Sequence, residues 1–296
     1  MIDESIQHPL TDDATPRRGS ATLAPGDPFS RRRFLQVTGT CLISPLLAPM
    51  LASATVSPER SLDARMLPFG RSLRVVHLSD VHMGLGMSAH QFRGYMDQVK
   101  SVRPDLLVLT GDFISYSMAG LEECVREIAR VQPPYGTFAT LGNHEHAYGQ
   151  VAVIEDRFAS HGIPLLRNQH IAVPTRDGLL VVAGIDDLGF GTADLVRALR
   201  GRPADVPTLL LSHHPEIFPR AAEADVTLTL SGHWHGGQIR FPIPGGYVSV
   251  AHLNTPYPEG LFRRGGSLLY VNRGLGTSLL PLRVNAPPEI SVLNLF

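Results

Sequence analysis

Cysteine is scarce. Cys41 and Cys124 are the only two among 296 residues, too few for a disulfide framework or a thiolate metal site. Cys41 lies in a segment expected to be removed or to stay in a membrane. Cys124 falls on the apolar stripe of a helical pattern with Leu121, Val125 and Ile128, where a small hydrophobe serves packing. Excess charge is missing too: the formal net charge is −1 and Lys100 is the only lysine, so neither a nucleic-acid footprint nor a polybasic membrane patch is expected. No unbroken apolar run reaches the roughly 18 residues a spanning helix needs. A Gly-x-Ser-x-Gly nucleophile elbow and a Walker phosphate loop are both absent. His144-Glu145 does not open a His-Glu-x-x-His zinc motif, because Tyr148 stands where the second histidine is required.

What remains is the composition of an ordinary globular chain, 43% hydrophobic and 18% charged, long enough to bury a full core. Residues 1–29 hold Pro, Gly, Asp and Thr without periodicity and read as a disordered extension. Ser30-Arg31-Arg32-Arg33-Phe34-Leu35-Gln36 follows. It resembles the bacterial twin-arginine export signal at every position except Gln36. The apolar stretch Val37–Leu51, broken by Pro45 and Pro49, then leads to Ala52-Ser53-Ala54, a small-residue cleavage site. The division expected is 1–54 extension and signal, 55–71 linker, and 72–296 one domain. Twin-arginine export carries folded proteins, which suits a protein loaded with metal before translocation. The expected location is the periplasm or cell envelope, with membrane anchoring if the signal is retained.

From Leu73 the chain repeats strand, loop and helix, the signature of α/β architecture. Leu73-Arg-Val-Val-His-Leu-Ser-Asp-Val-His82 is a short apolar, β-branched run that ends abruptly in Asp80 and His82. Charged groups at the mouth of a buried strand are costly unless something pairs with them. Ligands in open α/β sheets bind beyond the carboxyl ends of the strands. Ser88 caps a predicted helix over 88–102. Leu106–Thr110 is a strand ending in Gly111-Asp112, and Thr137–Leu141 ends in Gly142-Asn143-His144-Glu145. Leu179–Ile185 ends in Asp186-Asp187, a pair expected to cap its loop. Thr208–Ser212 ends in His213-His214, Val226–Leu230 leads to Gly232-His233-Trp234-His235, and Leu268–Val271 to Asn272-Arg273-Gly274. Carboxylate, amide and imidazole after successive strands suit first-row divalent ions.

These motifs, in this order and separation, resemble the calcineurin-like metallophosphoesterases over residues 72–296. The stretches 211–215, 232–240, 272–277, 281–283 and 287–290 narrow the resemblance to its exported bacterial, YkuE-like branch. The fold implied is α/β, a four-layer α/β/β/α sandwich of two facing mixed β-sheets flanked by helices. The resemblance implies two divalent metal ions (Mn, Fe, Zn or Co): Asp80, His82 and His235 hold one, Asn143, His213 and His233 the other, and Asp112 bridges them. It implies hydrolysis of phosphoesters, diesters favoured, by a bridging hydroxide, with His144 stabilising the transition state or protonating the leaving group. Glu145 is expected to orient the His144 ring, and His214 to pack beside the ligands. Arg240 and Arg273 are candidates for bidentate phosphate contact, with surface salt bridges as the alternative. Trp234 either lines the substrate cleft or packs. Phe241–Tyr247 is an apolar loop expected to fold over its own core, or else to meet lipid. Alternative functions are a pyrophosphatase of the UDP-2,3-diacylglucosamine type, acting on a lipid-linked substrate, and a catalytically inactive metal-binding module of the cell envelope.

Overall fold

A computed structural model describes residues 55–56, 60–62, 73–148 and 150–296. The twin-arginine motif and the apolar stretch after it lie outside the described residues. Among the described residues, no helix is long and apolar enough to cross a membrane.

Two sheets make up the domain. In the first, β3 (Leu73–Leu78), β4 (Leu106–Thr110) and β5 (Thr137–Thr140) run parallel, and β14 (Glu289–Leu295) pairs antiparallel to β3. The stretch 55–71, expected as a linker, instead contributes β1 (Thr55–Val56) and β2 (Arg60–Leu62), both parallel to β14. In the second sheet β7 (Gly178–Gly184), β8 (Thr208–Leu211), β9 (Leu228–Ser231) and β13 (Ser267–Val271) are parallel. Its two edges, β6 (Gln169–Thr175) and β12 (Gly260–Arg264), are antiparallel. Pro174 on the β6 edge costs no ladder donor there.

Alternation along the strands builds the layers. Val75, Leu106, Val108 and Leu293 of the first sheet share one buried cluster with Val182, Leu209, Leu211 and Tyr270 of the second. Val76, Leu78, Leu107 and Leu109 point outward and bury helices α1 (Ala89–Ser101), α2 (Leu121–Ala129) and α4 (Val151–Ser160) through Phe92, Met96, Ile128 and Phe158. On the far side, Ala183 and Leu210 receive α5 (Leu195–Leu199) and α6 (Phe218–Glu223) through Leu195, Ala198 and Ala221. The result is the expected α/β/β/α sandwich. Burial on both faces explains why the strands read as continuous apolar runs. Cys124 is buried in the α2 layer, and burial pushes its thiol well above its ordinary pKa. Ser88 caps α1 as expected, accepting from Gln91 N at 3.2 Å while Gln91 Oε1 accepts from Ser88 N at 3.0 Å.

Two further pieces flank the sandwich. Asn143–Ala147 forms the single turn α3 after β5. Residues 240–249 form a separate hairpin, β10 (Arg240–Ile243) and β11 (Gly246–Ser249), running into α7 (Val250–Asn254). The apolar stretch 241–247 is therefore not folded over a core of its own: Phe241, Ile243 and Tyr247 are exposed.

Candidate metal centre

Ligand candidates follow the strands directly, and the ladder runs on into their loops. Asp80 N donates to Gly111 O at 3.0 Å, and His82 N donates to Asp112 O at 2.9 Å. There the backbone departs from strand geometry. Asp80, His82, Asp112, His233 and His235 all adopt left-handed φ, between 51° and 73°, a conformation costing on the order of 1–3 kcal/mol for each such residue. Five strained residues around one point mark a site that the surrounding fold holds open. Glycine lets the loops close on it, within the first sheet at Gly111 and between the sheets at Gly232. A Cβ on Gly111 (φ +84°) would meet Gly142 N at 2.4 Å, and one on Gly232 would meet Ser79 Oγ at 1.9 Å and Asp80 Oδ2 at 2.3 Å.

The ligand atoms gather in two groups. Asp80, His82 and His235 form the first: the two Nε2 atoms are 3.1 Å apart, and Asp80 Oδ1 is 3.4 Å from His235 Nε2. Asn143, His213 and His233 form the second, with Asn143 Oδ1 at 3.0 Å from His213 Nε2 and 3.1 Å from His233 Nδ1. Asp112 lies between them, its Oδ2 at 3.5 Å from His82 Nε2 and 3.3 Å from His213 Nε2. His213 Nδ1 faces the Thr110 carbonyl at 2.7 Å; donation there leaves Nε2 as the lone-pair atom turned to the site.

Electrostatics match a cation. Burial holds His82 down to about 3 and His233 and His235 well below their ordinary range, so these rings are neutral and offer lone pairs. Burial opposes charge on His213 as well, yet the Asp112 and Asp80 carboxylates raise it to about 10. Burial would also raise Asp112, but His213 and His82 bring it well below the usual carboxylate range. Asp80 is pushed up to about 6, first by burial and then by the Asp112 charge. Carboxylates set among neutral His82, His233 and His235, with a proton on His213 that a metal would displace, fit divalent ions.

His144 sits at the edge of this cluster rather than in either triad. Its Nδ1 faces Ser115 O at 2.6 Å, and its Nε2 is 3.9 Å from Asp112 Oδ2. Glu145 does not touch that ring. Its carboxylate accepts from the backbone N–H groups of Asp112, Phe113, Ile114 and Gly142 at 2.8–3.2 Å. The expected orientation of His144 by Glu145 is thus corrected: a backbone carbonyl holds the ring, and Glu145 ties the Asp112 loop to the Asn143 loop. The geometric reason is that adjacent residues of a helical turn point about 100° apart.

The two expected phosphate-binding arginines are already engaged. Arg240 is buried against Glu259, and Arg273 Nε donates to Glu289 Oε2 at 2.7 Å. Asp186 and Asp187 cap their loop, accepting from Thr192 N and from Gly189 and Phe190 N. His214 packs on His233 with ring centroids 3.8 Å apart. Trp234 lies edge-on to His233 at 5.0 Å, its indole N–H donating to Glu216 Oε1 at 2.8 Å. One further residue has no counterpart among the expected site residues. Arg283 is buried with Nη2 at 3.1 Å from His235 Nδ1, and it donates to the carbonyls of Arg273 and Ala286. In the sequence it closes the stretch 281–283 that carries the resemblance, and it is a lone cation in the apolar run 279–284.

Glu216 gives this corner a pH signature. Burial would raise its pKa, but the His214 imidazole at 3.7 Å and the hydrogen bond from Thr255 bring it down to about 2 from an ordinary 4.5. A depressed carboxyl stabilises the fold above its unfolded pKa. That contribution is lost as pH falls from about 4.5 toward about 2. Emission from Trp234, the single tryptophan, is expected to shift over this window and to lose the transition in Glu216→Gln.

Two facing sheets whose strand ends converge on carboxylates, an amide and imidazoles make a site suited to a metal-dependent phosphoesterase. The chain belongs to the calcineurin-like phosphoesterases: that family's profile matches residues 73–237, a span containing every candidate metal ligand. It is 30% identical over 241 residues to the uncharacterized metallophosphoesterase YkuE of Bacillus subtilis (strain 168), covering 80% of this chain and 84% of that one. It is 28% identical over 276 residues to the phosphodiesterase YaeI of Escherichia coli (strain K12), covering 90% and 99%. Among solved structures it is similar to TT1561 of Thermus thermophilus, with TM-score 0.46, 13% identity and coverage of 69% and 90%.

Proposed function

We propose that this chain is an exported phosphodiesterase working with two divalent ions. The observation that carries this reading is the position of Asp112 Oδ2, within 3.5 Å of His82 Nε2 and 3.3 Å of His213 Nε2, where one carboxylate can serve both triads. Asp80, His82 and His235 would hold one ion, and Asn143, His213 and His233 the other. When bound, such ions act as Lewis acids toward phosphoryl oxygens and lower the pKa of coordinated water.

The chain's own residues supply the rest. His144, with Nδ1–H on the Ser115 carbonyl, turns Nε2 toward the cluster. In its protonated form it delivers a proton to the departing alkoxide. The preference for diesters is supported by the arginines: Arg240 and Arg273 are neutralised by Glu259 and Glu289, which suits a singly charged diester better than a monoester dianion. The relative YaeI bears the name phosphodiesterase. Export to the periplasm or cell envelope by the twin-arginine machinery is supported by the match at Ser30–Leu35.

The test compares hydrolysis of bis(p-nitrophenyl) phosphate and p-nitrophenyl phosphate by the metal-stripped chain before and after Mn²⁺ is added. Metal-dependent turnover with the diester preferred is expected. His144→Ala is expected to lower kcat by about 10²–10⁴-fold, the range for general acid catalysis, with metal content unchanged. A chain that binds metal yet turns over neither substrate would overturn the reading.

A further inference from the structure

We propose that the active-site end of this domain rests on a lipid bilayer through an apolar prow formed by the β10–β11 hairpin and α7, so that the metal cleft opens beside lipid headgroups. Contact of the site end with a bilayer does not depend on hydrolysis.

Exposure is the first observation. The hairpin forms a two-stranded sheet of its own, tied to the rest of the domain at Arg240, whose N–H donates to Val284 O at 2.9 Å, and Phe241, Ile243 and Tyr247 are 62%, 49% and 46% exposed. On α7, Ala251 is buried while Val250 and Leu253, three residues apart on one face, are 67% and 81% exposed. Leu279 and Leu280 join them, because Gln238 Nε2 donates to Leu280 O at 2.8 Å and Gln238 Oε1 accepts from Ser278 N at 2.8 Å. Single exposed apolar residues are ordinary on a protein surface, whereas a contiguous group marks an interaction site.

The prow adjoins the site. A Cβ on Gly237, two residues past His235, would meet Ser249 Oγ at 1.9 Å and Ala251 Cβ at 3.4 Å. On the other flank Leu279 N donates to Tyr116 Oη, and the Tyr116 ring lies 5.5 Å from His144.

Lipid is favoured over a protein partner by the prow's chemistry. No acidic residue occurs in 238–258 or in 274–288, and the two carboxylates that reach this surface are already engaged, Glu259 by Arg240 and Glu216 by Thr255 and Trp234, which leaves little to repel a headgroup phosphate or complement a basic partner. Pro242 and Pro244 lack the N–H groups that adding a partner strand would need. The path of the chain gives an independent reason. β1 starts at Thr55 opposite Glu289, and Glu289 holds Arg273 at the site end of β13. Thr55, the first described residue, therefore lies at the site end of the sheet, and the chain that precedes it carries the apolar stretch Val37–Leu51.

Trp234 is a built-in probe. Glu216 Oε1 accepts from its indole at 2.8 Å and from Thr255, the residue after α7, at 2.7 Å. The full chain is mixed with phosphatidylcholine vesicles carrying brominated or ordinary acyl chains. Bromine is expected to quench Trp234, and high salt is expected to leave the quenching in place, as apolar insertion is little screened. The triple variant Phe241→Ser, Ile243→Ser, Leu253→Ser should keep the wild-type melting temperature and lose the quenching entirely. Unquenched wild type overturns the proposal, as does equal quenching in the variant. A lipid-free dimer that the variant dissolves, with no quenching by bromolipid, overturns it in favour of a second copy of this chain.

Discussion

Asp112→Asn is expected to reduce diester turnover by at least ~10³-fold and to strip metal from both triads. Oδ1 of Asp112 accepts from His144 N at 2.9 Å, while Oδ2 faces His82 and His213. An amide must therefore turn its NH₂ either onto the His144 N–H, donor against donor, or into the ring of ligands. In both cases the shared anionic oxygen is gone. Lewis-acid stabilisation is worth several kcal/mol, and each 1.36 kcal/mol is tenfold in rate, hence the expected loss. Elemental analysis after dialysis against Mn²⁺, together with kcat/KM, measures the effect. A variant that keeps full metal content would show that the two triads load independently of this carboxylate. The same change removes the largest favourable influence on His213, so its pKa in the metal-free chain should fall from about 10.

The second large effect is thermodynamic. Glu145→Ala removes the acceptor of four buried N–H groups, those of Asp112, Phe113, Ile114 and Gly142. A buried donor left unsatisfied costs ~1–3 kcal/mol, and coupling among neighbours keeps the sum below four independent losses. Several kcal/mol at ~2–4 °C each for a domain of this size predicts a fall in melting temperature of about 10 °C. Glu145→Gln keeps one carbonyl acceptor and should fall between alanine and wild type. His144→Ala, whose ring contributes one hydrogen bond at the rim, should melt near wild type. If Glu145→Ala melted like wild type, its role as the tie between the two loops would fail.

Local chemistry makes the strands and their ends legible. A run such as Leu106–Thr110, apolar on both faces, has no stable place but a covered sheet, and a carboxylate directly after it needs a partner. β14 is harder to read. Glu289, Ser291 and Asn294 look like surface positions, but Glu289 is satisfied by Tyr270 and Arg273, and Ser291 by Asn272. The hairpin escapes a local reading because Pro242 and Pro244 contradict the core pattern while its exposed apolar side chains contradict the edge-strand pattern. Adjacency in sequence pairs Glu145 with His144. The N–H groups it actually serves include three more than thirty residues away.

By itself the sequence determined the ligand types and their order, because the tendency of Asp, Asn and His to follow a buried strand is a property of a few consecutive residues. Only the tertiary structure decided how they are shared. His82 meets His235 across 153 positions, and His213 meets Thr110 across 103. Such contacts exist only once two sheets have closed on each other. The same closure supplied Glu289 to Arg273 and left Arg283 buried behind His235, and docking of the hairpin beside β12 supplied Glu259 to Arg240. Those partners are acceptors brought from distant strands and loops by packing, and no local pattern encodes them.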